Sequence, residues 1–375
     1  MRKQFGAEQI IVLLGAGASC DAGLKNSFQM ISDIEDQLKT RWSKYEALYN
    51  YVQSSHHHLE RIKGVRLRDI IFNIENLVGL LNVIINIADK NVEVYPFIGS
   101  WEKELSTVAG PNFELAKRFR EEILSQLKTT WLMPDDFRTK SSYYRKLSET
   151  GYNYPLRIFT LNYDICVESN IPATALERGF TDERKWDYRR YESSDRDVSY
   201  FLYKLHGSLD WKRDSEKRLT FSDFTDSVNP LEMEIIFGTQ NKLQSYDPFM
   251  FYFYAFREAC INAELIVTSG YGFYDAHINE NIKNALRLNP NKHLLVNVFE
   301  HTNGLLKNDD AIQREIADRV GIAPEAVSVM NMSARQFFND FLNVNYFASL
   351  FPTIDAESDV LPSEHARQDN PSAEL

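Results

Sequence analysis

The sequence predicts an α/β protein built on a doubly wound parallel β-sheet. Two features of the 375-residue chain support this fold class. Short apolar runs of strand length alternate with longer helix-like segments, and parallel strands joined by helices give a sheet covered on both faces. Polar or glycine-rich motifs directly follow several of these runs, and open parallel sheets bind ligands beyond the carboxyl ends of their strands.

The predicted strands are short runs that are mostly apolar, as expected for strands that are buried on both faces. We expect them at 10–14, 156–161, 200–205, 234–237, 265–268 and 294–299. Helices are predicted at 248–261, 275–286 and 333–351. The alternation of these elements indicates the doubly wound topology.

A long helical region separates the first predicted strand from the second. Its most regular part is an unbroken apolar stripe from Leu67 to Ile85, with residues at helical spacing. We therefore expect a single domain over 1–350 that contains a helical insertion at 25–150. The polar, proline-containing segment 352–375 is expected to be a flexible tail.

Composition excludes several classes of protein. A net charge of −11 argues against direct binding of nucleic acid. The three cysteines cannot form a four-thiolate zinc site or a disulfide framework, and the consecutive histidines at 56–58 point to different sides of a helix, so no metal is expected. No segment reaches the roughly 18 apolar residues of a membrane span. We expect a cytoplasmic protein without membrane contact.

The first predicted strand runs into a glycine-containing turn and then a helix, which is the context of a phosphate-binding turn. The turn consists of Gly15, Ala16, Gly17, Ala18 and Ser19. It lacks the third glycine of the dehydrogenase fingerprint, because Cys20 stands there. A lipoprotein signal is disfavoured, because the apolar run before Cys20 is short and Gly17 occupies position −3. A tight turn without a ligand remains the alternative.

Polar residues also follow three later strands. Asn162 and Asp164 come after the second strand, where they could orient a water or an amide, or cap a helix. His206 follows the third strand and could act as a base on a sugar hydroxyl, or be structural. The run Gly270, Tyr271, Gly272, Phe273 and Asp275 is a second turn that could enclose an adenosine, with Asp275 as a helix cap.

Taken in order, these motifs resemble those of the sirtuin superfamily. Sirtuins carry a GAG-x-S turn, a T-x-N-x-D strand end and a catalytic His-Gly; the corresponding residues here are 15–19, 160–164 and 206–207. The resemblance implies a Rossmann-like sirtuin fold and NAD⁺ as substrate. It implies catalytic roles for Asn162, Asp164 and His206. The first turn, Thr160, and the second turn with Asp275 would bind the cofactor.

The departures from sirtuins are also informative. The four-cysteine zinc module and the Pro-x-Phe-Arg segment of protein deacylases are both missing, and a helical insertion stands where the latter would follow the first turn. This pattern resembles the divergent bacterial branch of anti-phage defence proteins, whose stand-alone subunits destroy NAD⁺ and pair with a HerA-type ATPase. The resemblance implies an NAD⁺ glycohydrolase that forms homo-oligomers and binds such an ATPase. The alternatives are a deacylase or ADP-ribosyltransferase, a non-catalytic sensor of NAD⁺ or ADP-ribose, and a nucleic-acid-processing subunit.

Overall fold

The computed structural model describes residues 3–88, 102–192, 198–223, 227–237, 246–302 and 304–352. Its strands are β1 Ile10–Leu14, β2 Leu156–Thr160, β3 Leu176–Glu177, β4 Tyr200–Lys204, β5 Trp211–Arg213, β6 Leu219–Phe221, β7 Leu265–Ser269, β8 His293–Val298, β9 His301–Thr302, β10 Leu305–Leu306 and β11 Val327–Asn331. Seven of them form one sheet in the order β11-β8-β7-β1-β2-β4-β3, and all neighbours in it are parallel. The predicted fold class is confirmed.

Both faces of this sheet are covered, which explains why its central strand β1 is apolar throughout. In β1, Ile10, Val12 and Leu14 belong to one buried apolar cluster, and Ile11 and Leu13 belong to a second. Successive side chains of a strand point to opposite faces, so the two clusters lie on opposite sides of the sheet. Each cluster is formed with helices packed on that side.

The helices are Ser27–Leu38, Glu46–Ile62, Ile74–Ala88, Glu102–Val108, Glu114–Gln126, Phe137–Lys140, Phe249–Asn262, Ala276–Leu288, Asp309–Val320, Ala334–Asp340 and Val344–Ser349. The first six fall within the predicted insertion and contribute their apolar residues to the first cluster. A short 3₁₀ helix, Ala16–Ala22, follows β1 directly, so the α-helix expected after the first turn does not start there. None of the helices in the described ranges is long and apolar enough to cross a membrane.

The predicted helical stripe from Leu67 to Ile85 is wrong in its first part. Residues Leu67–Asp69 form a 3₁₀ turn, and the α-helix begins only at Ile74. The reason is a pair of reciprocal hydrogen bonds: the backbone N–H of Asn73 donates to the Asn76 side chain, and the N–H of Asn76 donates to the Asn73 side chain, each at 3.1 Å. Such pairing marks a helix start.

The strand predicted at 234–237 is also wrong. This segment pairs with the loop after β4 rather than with the sheet: Ser208 donates its N–H to the Glu234 carbonyl, and Ile236 donates to the His206 carbonyl. The only bridge recorded for it within the described residues joins Gly207 and Ile235 in antiparallel orientation. A segment with only three apolar residues, Ile235, Ile236 and Phe237, can satisfy its backbone against a loop as well as against a strand.

The carboxyl-terminal part differs from the prediction in two ways. The helix expected at 333–351 is interrupted, because the Asn343 side chain accepts a hydrogen bond from the N–H of Tyr346 and starts a second helix. The helix Asp309–Val320 and the edge strand β11 were not predicted. Most residues of β11 are half-exposed, so its sequence lacks the continuous apolar run that marks a strand buried on both faces. The predicted tail lies, from residue 353 onward, outside the described residues.

The order of the strands determines where a ligand can enter. β1 lies between β7 and β2; the chain leaves β1 toward β2 and leaves β7 toward β8, on the opposite side. The loops that follow β1 and β7 therefore diverge, and in doubly wound sheets ligands bind in the crevice at such a switch point. The two glycine-containing turns stand at this point.

Candidate active site

The structure brings all four predicted motifs to one edge of the sheet. Leu14, the last residue of β1, pairs in register with Thr160 of β2 and Ser269 of β7, and Thr160 pairs with Lys204 of β4. The motifs begin one or two residues beyond these positions. A cavity of about 1160 Å³ opens along this edge, slightly above the roughly 300–1,000 Å³ that is usual for small-molecule sites.

Most of the predicted site residues line this cavity. They are Gly15, Ala16, Gly17, Ser19, Asn162, Asp164, His206, Gly270, Tyr271, Gly272 and Asp275. Ala18, Thr160 and Phe273 are instead buried behind the lining, where they hold the turns. The Ala18 carbonyl accepts a hydrogen bond from Tyr143, and the Thr160 hydroxyl accepts one from the N–H of Asn162. Cofactor contact by these residues stays a prediction.

The two glycine-containing turns are packed directly against each other. The N–H of Gly15 donates to the Ser269 carbonyl and the N–H of Gly17 donates to the Gly270 carbonyl, both at 2.9 Å. A Cβ atom on Gly15 would lie 2.6 Å from the Gly270 carbonyl oxygen. The glycines are therefore required by the contact between the turns, and these two N–H groups, which the sequence had suggested as phosphate donors, are used within the protein.

Ser19 joins the first turn to the strand end after β2. Its hydroxyl donates to Asp164 Oδ2 at 2.7 Å. It lies 2.8 Å from the Tyr144 hydroxyl and accepts from Asn162 Nδ2 at 3.3 Å. Burial raises the pKa of Tyr144, so its phenol stays protonated and acts as the donor to Ser19. The second oxygen of Asp164 accepts from the N–H of Cys166 at 2.9 Å, which fixes the carboxylate.

A buried ionic chain lies behind Asp164. The Lys204 ammonium, at the end of β4, donates to the Asp164 carbonyl and is 3.0 Å from Glu168. Arg178 is 3.5 Å from Glu168 and 2.5 Å from Asp210. Lys204 is 1% exposed, and buried charges of this kind are tolerated only when paired. The chain ties the loop after β2 to the loop after β4.

Asn162 offers one polar atom that the protein does not use. Its Nδ2 donates to the Gly15 carbonyl at 3.0 Å, which orients the carboxamide. Its Oδ1 is buried and has no hydrogen-bond partner among the residues that the structure describes. Since a buried acceptor normally has a partner, an unpaired oxygen on a residue that lines a cavity is an acceptor available to a molecule bound there.

His206, in the loop after the adjacent strand β4, also has a buried polar atom that the protein does not use. Its Nε2 lies 3.3 Å from Asp275 Oδ2, and both side chains are 6% exposed. The other ring nitrogen, Nδ1, is buried and unpaired within the described part of the chain. The other oxygen of Asp275 accepts from the N–H groups of His277 and Ile278, at 3.1 and 3.5 Å, and so caps the helix Ala276–Leu288.

Sequence reasoning missed the wall that the helical insertion contributes. His56, Glu75 and Asn76 line the cavity from the helices Glu46–Ile62 and Ile74–Ala88. Burial lowers the pKa of His56, whose Nε2 contacts the Ile71 carbonyl at 2.8 Å, so its imidazole is neutral at physiological pH. The run of histidines at 56–58 was considered only as a metal site, and no motif marks Glu75 or Asn76, because these residues reach the cavity only through the packing of their helices over the sheet edge.

Asn297 was also missed, although the sequence contains a signal for it. This asparagine interrupts the apolar run of β8, is 1% exposed and lines the cavity. It accepts from the Ser269 hydroxyl at 2.7 Å and donates to the carbonyls of Met330 and Met332. Its hydrogen bonds join the ends of β7, β8 and β11, so its contribution is to the shape of the edge.

The charge of the wall is predominantly negative. Its acidic residues are Asp21, Glu60, Asp69, Glu75, Asp164, Asp275 and Glu300, and its lysines are Lys25 and Lys63. Such a wall attracts positive charge and repels a polyanion. Burial raises the pKa of the Cys20 thiol, so this cysteine is not a ready nucleophile. Within the described ranges no group of three or more His, Cys, Asp or Glu could hold a metal ion.

Comparison with known proteins gives one family. A family model described as a SIR2-like domain matches residues 156–321. Among solved structures, a Sir2 homologue in complex with NAD is 10% identical, with a TM-score of 0.42, over 93% of this chain and 98% of that chain. Sir2Tm bound to a propionylated peptide is 12% identical, with a TM-score of 0.40, over 88% and 90%. At these scores the likeness is distant. No curated protein matches the sequence.

The matched segment begins at β2 and ends just after the helix Asp309–Val320. It contains Asn162, Asp164, His206 and the turn 270–275, and it leaves out the first turn and the helical insertion. The match to a SIR2-like domain therefore covers the part of the chain that carries most of the site.

Proposed function

We propose that this sirtuin-like protein is an NAD⁺ hydrolase that cleaves the bond between nicotinamide and ribose, releasing nicotinamide and ADP-ribose. The observation that carries the proposal is the pair of buried polar atoms, Asn162 Oδ1 and His206 Nδ1, that have no partner among the described residues. They stand beyond equivalent positions of neighbouring strands, since Thr160 pairs with Lys204. Leaving such an atom unpaired costs roughly 1–3 kcal/mol, which a ligand with hydroxyl and amide groups would recover.

The charge and size of the cavity support a dinucleotide with a cationic end. The nicotinamide ring of NAD⁺ is positively charged, and the acidic wall that includes Glu75, Asp164 and Asp275 would stabilise it. The volume of about 1160 Å³ is sufficient for an extended ligand. The first turn would lie beside the pyrophosphate without the N–H groups of Gly15 and Gly17, which bond within the protein, and the turn at 270–273 would enclose the adenosine. A nucleic acid, by contrast, would meet a repulsive surface.

The chemistry resembles glycoside cleavage, with an oxocarbenium-like transition state. The bond from ribose C1′ to the nicotinamide nitrogen breaks, and its electron pair neutralises the ring. A water molecule, oriented by Asn162 Oδ1, forms the new bond to C1′, and the proton that it loses passes to solvent, so that NAD⁺ and water give nicotinamide, ADP-ribose and H⁺. His206 engages the ribose hydroxyls as a base. Asp164 receives the nicotinamide amide N–H₂ on an oxygen that also accepts from Ser19, since each carboxylate oxygen can accept more than one hydrogen bond.

Substitution of the two central residues tests the proposal. We expect Asn162→Ala and His206→Ala to lower the rate of NAD⁺ loss by about 10²–10⁴-fold, the usual contribution of a positioned acid–base group. Nicotinamide and ADP-ribose would be measured by chromatography, and circular dichroism would verify folding. Release of ADP-ribose rather than an acylated or protein-linked product separates hydrolysis from deacylation and transfer.

His293→Ala provides a matched control, because His293 lies outside the cavity lining and contacts Ser328 at 2.8 Å. It should retain turnover. Full activity in both purified Asn162 and His206 variants would contradict the assignment of the site. Tight binding of NAD⁺ by the unmodified protein without any turnover would identify a sensor instead.

We further propose that the activity serves bacterial anti-phage defence by NAD⁺ depletion, in a homo-oligomer that works with a HerA-type ATPase. The support is the resemblance of a sirtuin-like chain without a zinc module and with a large helical insertion to that branch. A toxic NAD⁺ hydrolase must be restrained until it is triggered. NAD⁺ loss should therefore be measured for the protein alone and with the ATPase encoded beside it, and equal, negligible rates in both samples would count against the partnership.

A further inference from the structure

We propose that Asp275 is a positioning residue for His206. Its carboxylate holds the imidazole with the proton on Nε2, so that Nδ1 is the nitrogen that accepts the proton of a ribose hydroxyl. This inference rests on the proposed function and specifies which atom of the site acts as the base. The sequence had suggested Asp275 only as part of an adenosine-side turn and a helix cap.

The geometry gives each oxygen of Asp275 a separate partner. Oδ1 accepts the N–H groups of His277 and Ile278 at the start of the helix Ala276–Leu288, and Oδ2 lies 3.3 Å from His206 Nε2. Because the helix fixes the first oxygen, the second cannot turn away from the imidazole. Both side chains are 6% exposed, so solvent competes little for this contact.

The unpaired nitrogen of His206 shows which ring nitrogen is available to accept a proton. A neutral imidazole carries one N–H, and the position of that proton follows from the partner of each nitrogen. A carboxylate beside Nε2 can only accept, so the proton belongs on Nε2. Nδ1 then holds a free electron pair, and it is the atom without a partner among the described residues, on a residue that lines the cavity. After Nδ1 takes a proton, the same carboxylate stabilises the imidazolium.

Asp275→Asn tests this tautomer with little change in shape. One oxygen remains, and asparagine is a good helix cap. When that oxygen accepts the N–H groups of His277 and Ile278, the amide N–H₂ faces Nε2 and requires it to accept. The proton then moves to Nδ1, and the base is lost. In serine proteases, changing the aspartate that orients the catalytic histidine to asparagine lowers kcat by about 10⁴-fold. We expect a loss of kcat of about 10²–10⁴-fold with KM for NAD⁺ nearly unchanged.

Asp187→Asn is the matched control, because Asp187 also caps a helical segment, Tyr188–Tyr191, outside the cavity lining. It should leave kcat unchanged. If Asp275→Asn does not fold, Asp275→Ser, whose hydroxyl also caps a helix, replaces it, and added formate should partly restore turnover by occupying the place of the carboxylate. Failure of formate to restore any activity to a folded Asp275→Ser protein would overturn the inference.

Nitrogen NMR of the His206 ring provides a readout that does not depend on turnover. The signals would be assigned by their absence in His206→Gln. The unmodified protein should show protonated Nε2 and bare Nδ1, and Asp275→Asn should show the reverse. The same tautomer in both proteins, or full kcat in Asp275→Asn, overturns the inference. The expected tautomers without any nicotinamide release from the unmodified protein would support the pairing of Asp275 with His206 and contradict the proposed hydrolase.

Discussion

The contact between the two glycine-containing turns predicts that Gly270 tolerates no side chain. Gly270 has a φ of +65°, in the left-handed region, and a Cβ built on it would lie 1.9 Å from the Ala18 nitrogen and 2.3 Å from the Gly17 carbonyl carbon. Both neighbours are backbone atoms, which cannot move aside as the end of a flexible side chain can. Gly270→Ala must therefore separate the turns that follow β1 and β7.

A second glycine allows the backbone strain to be measured by itself. Gly64 has a φ of +86°, and a Cβ there meets nothing within 4 Å in the described part of the chain. Gly64→Ala should cost only the left-handed conformation, about 1–2 kcal/mol. Gly270→Ala adds the cost of overpacking, typically about 1–3 kcal/mol and occasionally more. We expect the free energies of unfolding of the two variants to differ by this second amount.

Urea denaturation followed by circular dichroism and tryptophan fluorescence would compare the unmodified protein with both variants. The difference between Gly270→Ala and Gly64→Ala should appear as a lower urea midpoint at similar slope. NAD⁺ turnover should also fall in Gly270→Ala, because the separated turns no longer shape one wall of the cavity. Equal unfolding free energies for the two variants would refute the argument that the turns are interlocked.

Two further predictions concern stability. Ser19→Ala should lower the free energy of unfolding by about 1–3 kcal/mol, because it leaves the buried Tyr144 hydroxyl and one Asp164 oxygen with fewer partners. Tyr144→Phe should cost less, because it removes the Tyr144 hydroxyl itself and leaves no buried donor unpaired. If Tyr144→Phe proved the more costly variant in urea denaturation, this account would be contradicted. Burial lowers the pKa of His56 and of His293, so below about pH 6.5 the unfolded chain binds more protons than the folded protein. Stability should then fall as pH decreases from 7 to 5, by at most about 1.4 kcal/mol per pH unit for each histidine, and His293→Gln should reduce the slope; an unchanged slope would show that His293 is not involved.

The fold could be predicted from the sequence wherever a strand is buried on both faces. β1 and β4 read as uninterrupted apolar runs that end at glycine or at polar residues, and the structure places them within one residue of the prediction. The same signal was misleading at 234–237, where three apolar residues follow Glu234 and the segment pairs with the loop after β4. β11 gave no signal, because an edge strand buries only part of its surface. The apolar runs in the sequence therefore indicated burial on both faces rather than strand propensity.

The placement of Asn162 and His206 at the same edge of the sheet also followed from sequence, because each comes just after a predicted strand. That β2 and β4 are neighbours in register is seen only in the structure. The approach of Asp275 to His206 could not be found in this way. It requires a turn in which Gly270 and Phe273 both adopt positive φ, at +65° and +57°, before the helix begins at Ala276. Strand-end rules place a residue at an edge, but the direction of a side chain after such a turn depends on its backbone path. A site composed of strand-end residues is therefore predictable as a location, whereas the contact between Asp275 and His206 becomes visible only in the structure.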